Sequence, residues 1–346
     1  MNTQPSDINT PTKEREVRRL PVLPQRFPAI PQLIVLGVIL FLLLGSAGVS
    51  YLISKSNSAG NAWIDAEMAN KSQPSASLTT TTIKQLEAIE IEAKAGFVYD
   101  AINNRVLYQK EADQVLPIAS ITKLMTSLVA HELLSEDTAV TVPLTATLLE
   151  SASGLQTGER LTARSLINYA MLSSSNDAAH SLAAAAASAI SAGSSEAVFV
   201  EAMNIRAKEL GLQTLSFKNP HGLDIDTQRA GAYGSARDIS FLMEYIYKNY
   251  PDLLSVTMED STRIYNTDGD FREATNTNRA LLDIPQLRGS KTGYTILAGG
   301  NLTVVFEAGL NRPIIITVLG SSFSGRFSDV LSLIEATQAS LIESSQ

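Results

Sequence analysis

Three short strings, far apart in the chain, supply the parts of one serine acyl-transfer site in its usual order: Ser120-Ile121-Thr122-Lys123, Ser174-Ser175-Asn176 and Lys291-Thr292-Gly293. Any fold that unites them must bring a helix start, a loop between helices and a strand to one point. In the first string a hydroxyl and an amine stand three positions apart, which puts both on one helix face and within reach of each other. The string follows Pro117-Ile118-Ala119 and runs into the apolar stretch 124–130. That stretch reads as a buried helix, with Ser120 at its N-terminus, where free N–H groups and the dipole favour negative charge.

The opposite end of the chain carries a different constraint. Residues 33–53 are a 21-residue apolar run without a charged side chain, the length that crosses a bilayer as a helix. Lys13, Arg15, Arg18, Arg19 and Arg26 precede it, and positive flanks stay cytoplasmic, so the bulk of the chain is expected outside. A cleavable signal peptide is the alternative, with Gly45-Ser46-Ala47 as its cleavage site. A leader of about 32 residues is long for that, which favours an uncleaved anchor. The expected organisation is a basic cytoplasmic leader over 1–32, an anchor over 33–53, a Ser/Thr-rich tether over 54–87 and a catalytic domain over 88–346.

The chain carries a net charge of −8, and with the basic leader set aside the remainder has 22 basic and 32 acidic residues, which makes nucleic acid an unsuitable partner. There is no cysteine, so neither disulfides nor thiolate metal sites are available. Short apolar runs at 95–100 and 105–108 flank Asn103-Asn104 and read as a hairpin. Helical patterns dominate to about residue 250, strands return at 286–306 and 312–320, and a helical pattern closes the chain at 328–342. Strands at both ends with helices between predict an α+β domain.

The first string, the 174–178 run, Asn219-Pro220-His221-Gly222-Leu223, Ser235-Ala236-Arg237-Asp238 and 288–295 together resemble the D-alanyl-D-alanine carboxypeptidases, the low-molecular-mass penicillin-binding proteins of bacterial walls. The resemblance covers residues 90–340. It implies the penicillin-binding and β-lactamase-like transpeptidase fold, a five-stranded antiparallel sheet flanked by helices. Many relatives add a second β-rich domain and a C-terminal amphipathic anchor. Only about 20 residues follow Arg326, so here the N-terminal span is expected to do the anchoring.

The resemblance assigns roles by position. Ser120 is the nucleophile and Lys123 its base; an ordinary lysine, with a pKa near about 10.4, is charged at neutral pH, so desolvation and a second cation such as Lys291 must lower it. Ser174 relays a proton to the leaving amine and Asn176 holds a substrate amide, while Ser175 occupies a variable position. Lys291 and Thr292 contact the relay and the substrate carboxylate, and Gly293 leaves room for the substrate backbone. The backbone N–H groups of Ser120 and Tyr294, the latter replacing a common His, form the oxyanion hole. Arg326 stands where the family carries a carboxylate-binding arginine, whereas Arg279 and Arg288 are expected to be solvated. His131, His180 and His221 are assigned structural roles, the pair Asp224 and Asp226 a solvated turn, and no metal or cofactor is called for.

The implied reaction is removal of the terminal D-Ala from peptidoglycan stem peptides through an acyl-enzyme on Ser120, with β-lactams as inhibitors. A D,D-endopeptidase of the same family stays open. A β-lactamase commonly needs a glutamate followed four residues later by asparagine, and none of Glu196, Glu201, Glu209, Glu244, Glu259 and Glu273 has it. A non-catalytic wall-binding protein would be marked by loss of a motif residue, and none is lost.

Overall fold

The structure, a computed structural model, describes residues 79–80, 86 and 88–343 apart from 152. The expected leader and anchor, and all of the tether except residues 79–80 and 86, lie outside the described residues. Among the described residues no helix is long and apolar enough to cross a membrane.

Alternation builds the sheet. In β1 (Ala95–Asp100) Phe97 and Tyr99 enter one apolar cluster while Val98 enters another, the period-two pattern of a strand covered on both faces. β2 is Arg105–Lys110, β3 Leu287–Thr295, β4 Gly299–Glu307 and β5 Pro313–Ser321. They pair antiparallel in the order β2-β1-β5-β4-β3, which leaves β3 at the edge. A sixth, two-residue strand, Thr79–Thr80, pairs parallel with β2 at Arg105 and Val106. The sheet therefore extends beyond the expected five antiparallel strands, into a segment read as tether.

The helices are α1 (Lys123–Leu133), α2 (Ala163–Leu172), α3 (Asn176–Ile190), α4 (Glu196–Glu209), α5 (Ala236–Asn249) and α6 (Gly325–Glu343). α6 covers one face of the sheet through Val330, Leu333, Ile334 and Leu341. α5 covers the other and joins the sheet to the helical layer, where α1 is buried at every position from Lys123 to Ala130. Its Leu124, Met125, Leu128, Val129 and Ala130 pack in the core, and its buried polar side chains Lys123 and Thr126 find partners there. The sequence did not announce the hairpin of Ser261–Tyr265 with Phe271–Thr275: only Ile264 and Ala274 are buried on it, so it has no apolar run to read.

Candidate active site

Ser120 is the second residue of a 3-10 turn, Ala119–Thr122, and the α-helix begins only at Lys123. The nucleophile position thus precedes the helix instead of starting it, which corrects the sequence reading. The turn opens from Ala119 in the left-handed region, φ +48°, a conformation that costs a side-chain-bearing residue energy unless its surroundings hold it. Here the Thr122 hydroxyl donates to the Ala119 carbonyl at 2.6 Å. Gly222, itself at φ +82°, packs so close that a Cβ on it would stand 2.0 Å from the same carbonyl oxygen. The Asn219-Pro220-His221-Gly222 string therefore braces the nucleophile turn.

Lys123 is fully buried. Its Nζ lies 2.8 Å from each of three acceptors, Ser120 Oγ, Asn176 Oδ1 and the His221 carbonyl. Burial first, and the charge of Lys291 second, hold this amine well below the ordinary lysine range, with Asp177 opposing. A neutral amine has two protons and a lone pair. It can donate to Asn176 and His221 and take the hydroxyl proton of Ser120.

Ser174 sits in the loop between α2 and α3, also left-handed at φ +61°. Its hydroxyl accepts from Lys291 Nζ at 3.0 Å, and the same ammonium reaches the Thr292 carbonyl at 3.1 Å. Burial, then the Arg326 charge, lower Lys291 to about 7. Ser175 is more than a variable position: it is buried, caps α3 by accepting from the Ala178 N–H and donates to Asp177. Asp177 in turn holds Ser153 N and Leu155 N at 2.9 and 3.1 Å, and Asn176 Nδ2 reaches the Glu150 carbonyl. The second string is thereby fixed against the loop that crosses above it.

Gly293 lines the cavity and is also closely approached by the nucleophile turn. A Cβ there would meet the Ile118 carbonyl oxygen at 2.8 Å and Ser120 N at 3.2 Å. Asp224 is not a solvated turn: it accepts from Thr295 Oγ1 at 3.0 Å and from Leu297 N at 3.3 Å, tying the end of β3 to the bracing loop. Asp226 does pair at the surface, with Arg229. Tyr294 is half exposed, its ring edge-on to Phe323 at 5.1 Å.

Arg326, at the start of α6, is buried against Phe323 and Phe327 and donates from Nη1 to the Gly293 carbonyl at 2.7 Å. Its Nε has no partner. Burial and then Arg279 lower its pKa to about 10. A cavity of about 790 Å³ is lined by Ser120, Ser174, Thr292, Gly293, Tyr294 and Arg326, so six of the nine expected site residues share it; Lys123, Asn176 and Lys291 lie behind, reaching it through Ser120 and Ser174. Arg279, expected to be merely solvated, is exposed on the cavity wall with its guanidinium 5.1 Å from the Phe323 ring. Arg288 lies elsewhere, 3.7 Å from Glu307.

Sequence reasoning missed Thr277, whose hydroxyl lies 2.6 Å from that of Thr292. The available signal was the polar run Asn276-Thr277-Asn278, whose asparagine side chains bond backbone groups and pin the segment. It missed too that the His221 carbonyl touches Lys123. The His221 ring itself is held neutral, its pKa lowered to about 3 chiefly by burial. His131 packs on Tyr250, and His180 bonds Thr145 and lies against Glu196. Among the described residues no His, Asp or Glu cluster is arranged to hold a metal.

Residues 79–322 match the family model described as D-alanyl-D-alanine carboxypeptidase. The chain is 36% identical over 247 residues to the D-alanyl-D-alanine carboxypeptidase DacF of Bacillus subtilis, across 69% of this chain and 60% of that protein's length. It is 29% identical to the D-alanyl-D-alanine endopeptidase of Escherichia coli, across 71% of this chain and 77% of that protein. The crystal structure of penicillin-binding protein D2 from Listeria monocytogenes in its ampicillin-bound form superposes with a TM-score of 0.61 at 28% identity, covering 72% of this chain and 98% of that one. This chain belongs to the D-alanyl-D-alanine carboxypeptidase family of serine peptidases.

Proposed function

We propose that the chain is a membrane-anchored serine D,D-carboxypeptidase that trims the terminal D-Ala from peptidoglycan stem peptides. The observation that carries this is Lys123: a buried amine, held below its ordinary pKa, 2.8 Å from the Ser120 hydroxyl. Ser120 Oγ attacks the carbonyl carbon of the penultimate D-Ala as its proton passes to Lys123 Nζ. The tetrahedral oxygen takes up charge opposite the backbone N–H groups of Ser120 and Tyr294. The C–N bond then breaks, Ser174 hands a proton to the departing D-Ala nitrogen, and Lys291 holds Ser174 in line. Water adds to the ester, its carbonyl–Oγ bond breaks, and Ser120 is regenerated. Arg326 and Thr292 hold the terminal carboxylate, and Asn176 the peptide amide. β-Lactams acylate the same serine. In this reading residues 33–53 anchor the chain in the bacterial cytoplasmic membrane as a single pass, with the catalytic domain outside.

The likeness to the Escherichia coli endopeptidase, which spans 77% of that protein, supports cross-link cleavage as the second reading. D-Ala released from a stem pentapeptide, compared with monomer released from a cross-linked dimer, separates the two. Faster pentapeptide trimming is expected; turnover of the dimer alone would favour the endopeptidase, and turnover of neither would overturn both.

A further inference from the structure

The end of the sheet remote from the catalytic cleft has an unusual surface for an acidic protein. The β1–β2 turn (101–104) and the β4–β5 turn (308–312) meet there, joined by the Arg312 guanidinium on Asp100 at 2.8 and 3.0 Å and by Ala101 N on the Pro313 carbonyl at 3.2 Å. Each turn lifts one aliphatic side chain into solvent, Ile102 at 57% exposure and Leu310 at 95%. Three ion pairs surround them: Arg312 with Asp100, Lys248 with Glu244, and Arg288 with Glu307. In all three the carboxylate is buried and the cation is the more exposed partner. This end therefore presents two aliphatic tips with three cations whose paired carboxylates are buried beneath them.

The chain also arrives at this end. Thr79–Thr80 run parallel to β2, with Thr79 opposite Arg105, the first β2 residue after the 101–104 turn. Thr79, the first described residue, thus lies at the end of the sheet that carries Ile102. The six residue steps from Arg288 to Tyr294 then carry the catalytic cleft about 20 Å further along the sheet.

We propose that this face, with Ile102 and Leu310 at its tips and Arg312, Lys248 and Arg288 around them, rests on the anionic lipid surface of the membrane that holds the chain. The inference rests on the reading of residues 33–53 as an anchor. Aliphatic tips enter the headgroup boundary while long cationic side chains reach lipid phosphates, the arrangement of interfacial contacts. A tether of 25 residues, 54–78, has a root-mean-square span of about 25–30 Å if flexible, so it keeps the face near the bilayer, and even a weak contact is populated. The consequence is orientation: the cleft points away from the membrane, toward the wall.

The cysteine-free chain allows the test on the full-length protein. I102C, L310C and, at the cleft end, I296C each receive an environment-sensitive fluorophore, and the protein is reconstituted in phosphatidylethanolamine–phosphatidylglycerol vesicles carrying spin-labelled lipid. Ile296 is exposed like the other two. Labels at 102 and 310 are expected to be quenched at least about twofold more than the label at 296, and less so in high salt. Equal, water-like signals at all three positions on vesicle-bound protein would overturn the proposed face while leaving the anchor intact. Failure of the protein to float with vesicles would overturn the anchor, and the proposed face with it.

Discussion

At the scale of single residues, the site depends on how two buried lysines are tuned. Lys123→Met keeps the side-chain volume but leaves Asn176 Oδ1 and the His221 carbonyl without their donor, a loss of about 1–3 kcal/mol that removal of a buried amine partly offsets. Acylation by benzylpenicillin, followed by stopped-flow, is expected to slow by about 10²–10⁴-fold, the usual contribution of a general base. A near-wild-type rate would remove Lys123 from its assigned role. Lys291 gives the alkaline limb of the pH profile. Its pKa of about 7 means that the free enzyme loses this cation as pH rises through neutrality, so kcat/KM for the peptide is expected to fall on the alkaline side. A substrate carboxylate stabilises the cation, so the same limb in kcat lies at higher pH; coincident limbs in both profiles would contradict the assignment.

At the scale of elements, the site is a junction of parts that hold one another's shape. Gly293→Ala would drive a Cβ to 2.8 Å from the Ile118 carbonyl and push the edge strand off the nucleophile turn. A loss of about 10²-fold in kcat/KM with little change in thermal midpoint is expected, whereas unchanged kinetics would show that the strand can yield there. Ser175→Ala removes the α3 cap and a partner of buried Asp177. It is expected to cost about 1–2 kcal/mol in denaturant unfolding. These contacts mark the limit of what the sequence disclosed. The three strings were legible because acyl transfer needs a nucleophile, a base and charge-stabilising donors and the family carries them in that order, and β1, α1 and α3 because burial leaves a periodic trace. Ser175, Asp224 and Thr277 were not legible, because polar residues in turns look alike until a partner remote in sequence arrives. Gly293 was legible as a close approach, but not as to what approaches it.

For the whole molecule, function is built at a cost in stability that pH exposes. Lys291 binds its proton at about 7 in the native state and near about 10.4 when unfolded. Between those values the unfolded chain holds more protons, so its contribution makes stability rise with pH across that window and stay flat below it. The thermal midpoint is expected to climb from pH 7 to pH 9 in the wild type and to climb less in Lys291→Met. An equal climb in both proteins would show that Lys291 is not strained by burial. The fold class was readable over the whole domain from strands at both ends and helices between. How two apolar clusters on opposite sheet faces bring residues 120, 174 and 291 within hydrogen-bond reach of a shared chain of groups was not, because it is a property of packing across the full chain. The most direct test of that convergence is intact-mass and peptide mass spectrometry after brief exposure to benzylpenicillin. One covalent adduct, mapped to Ser120 and absent from Ser120→Ala, is expected; no adduct on folded protein, or an adduct at another residue, would contradict it.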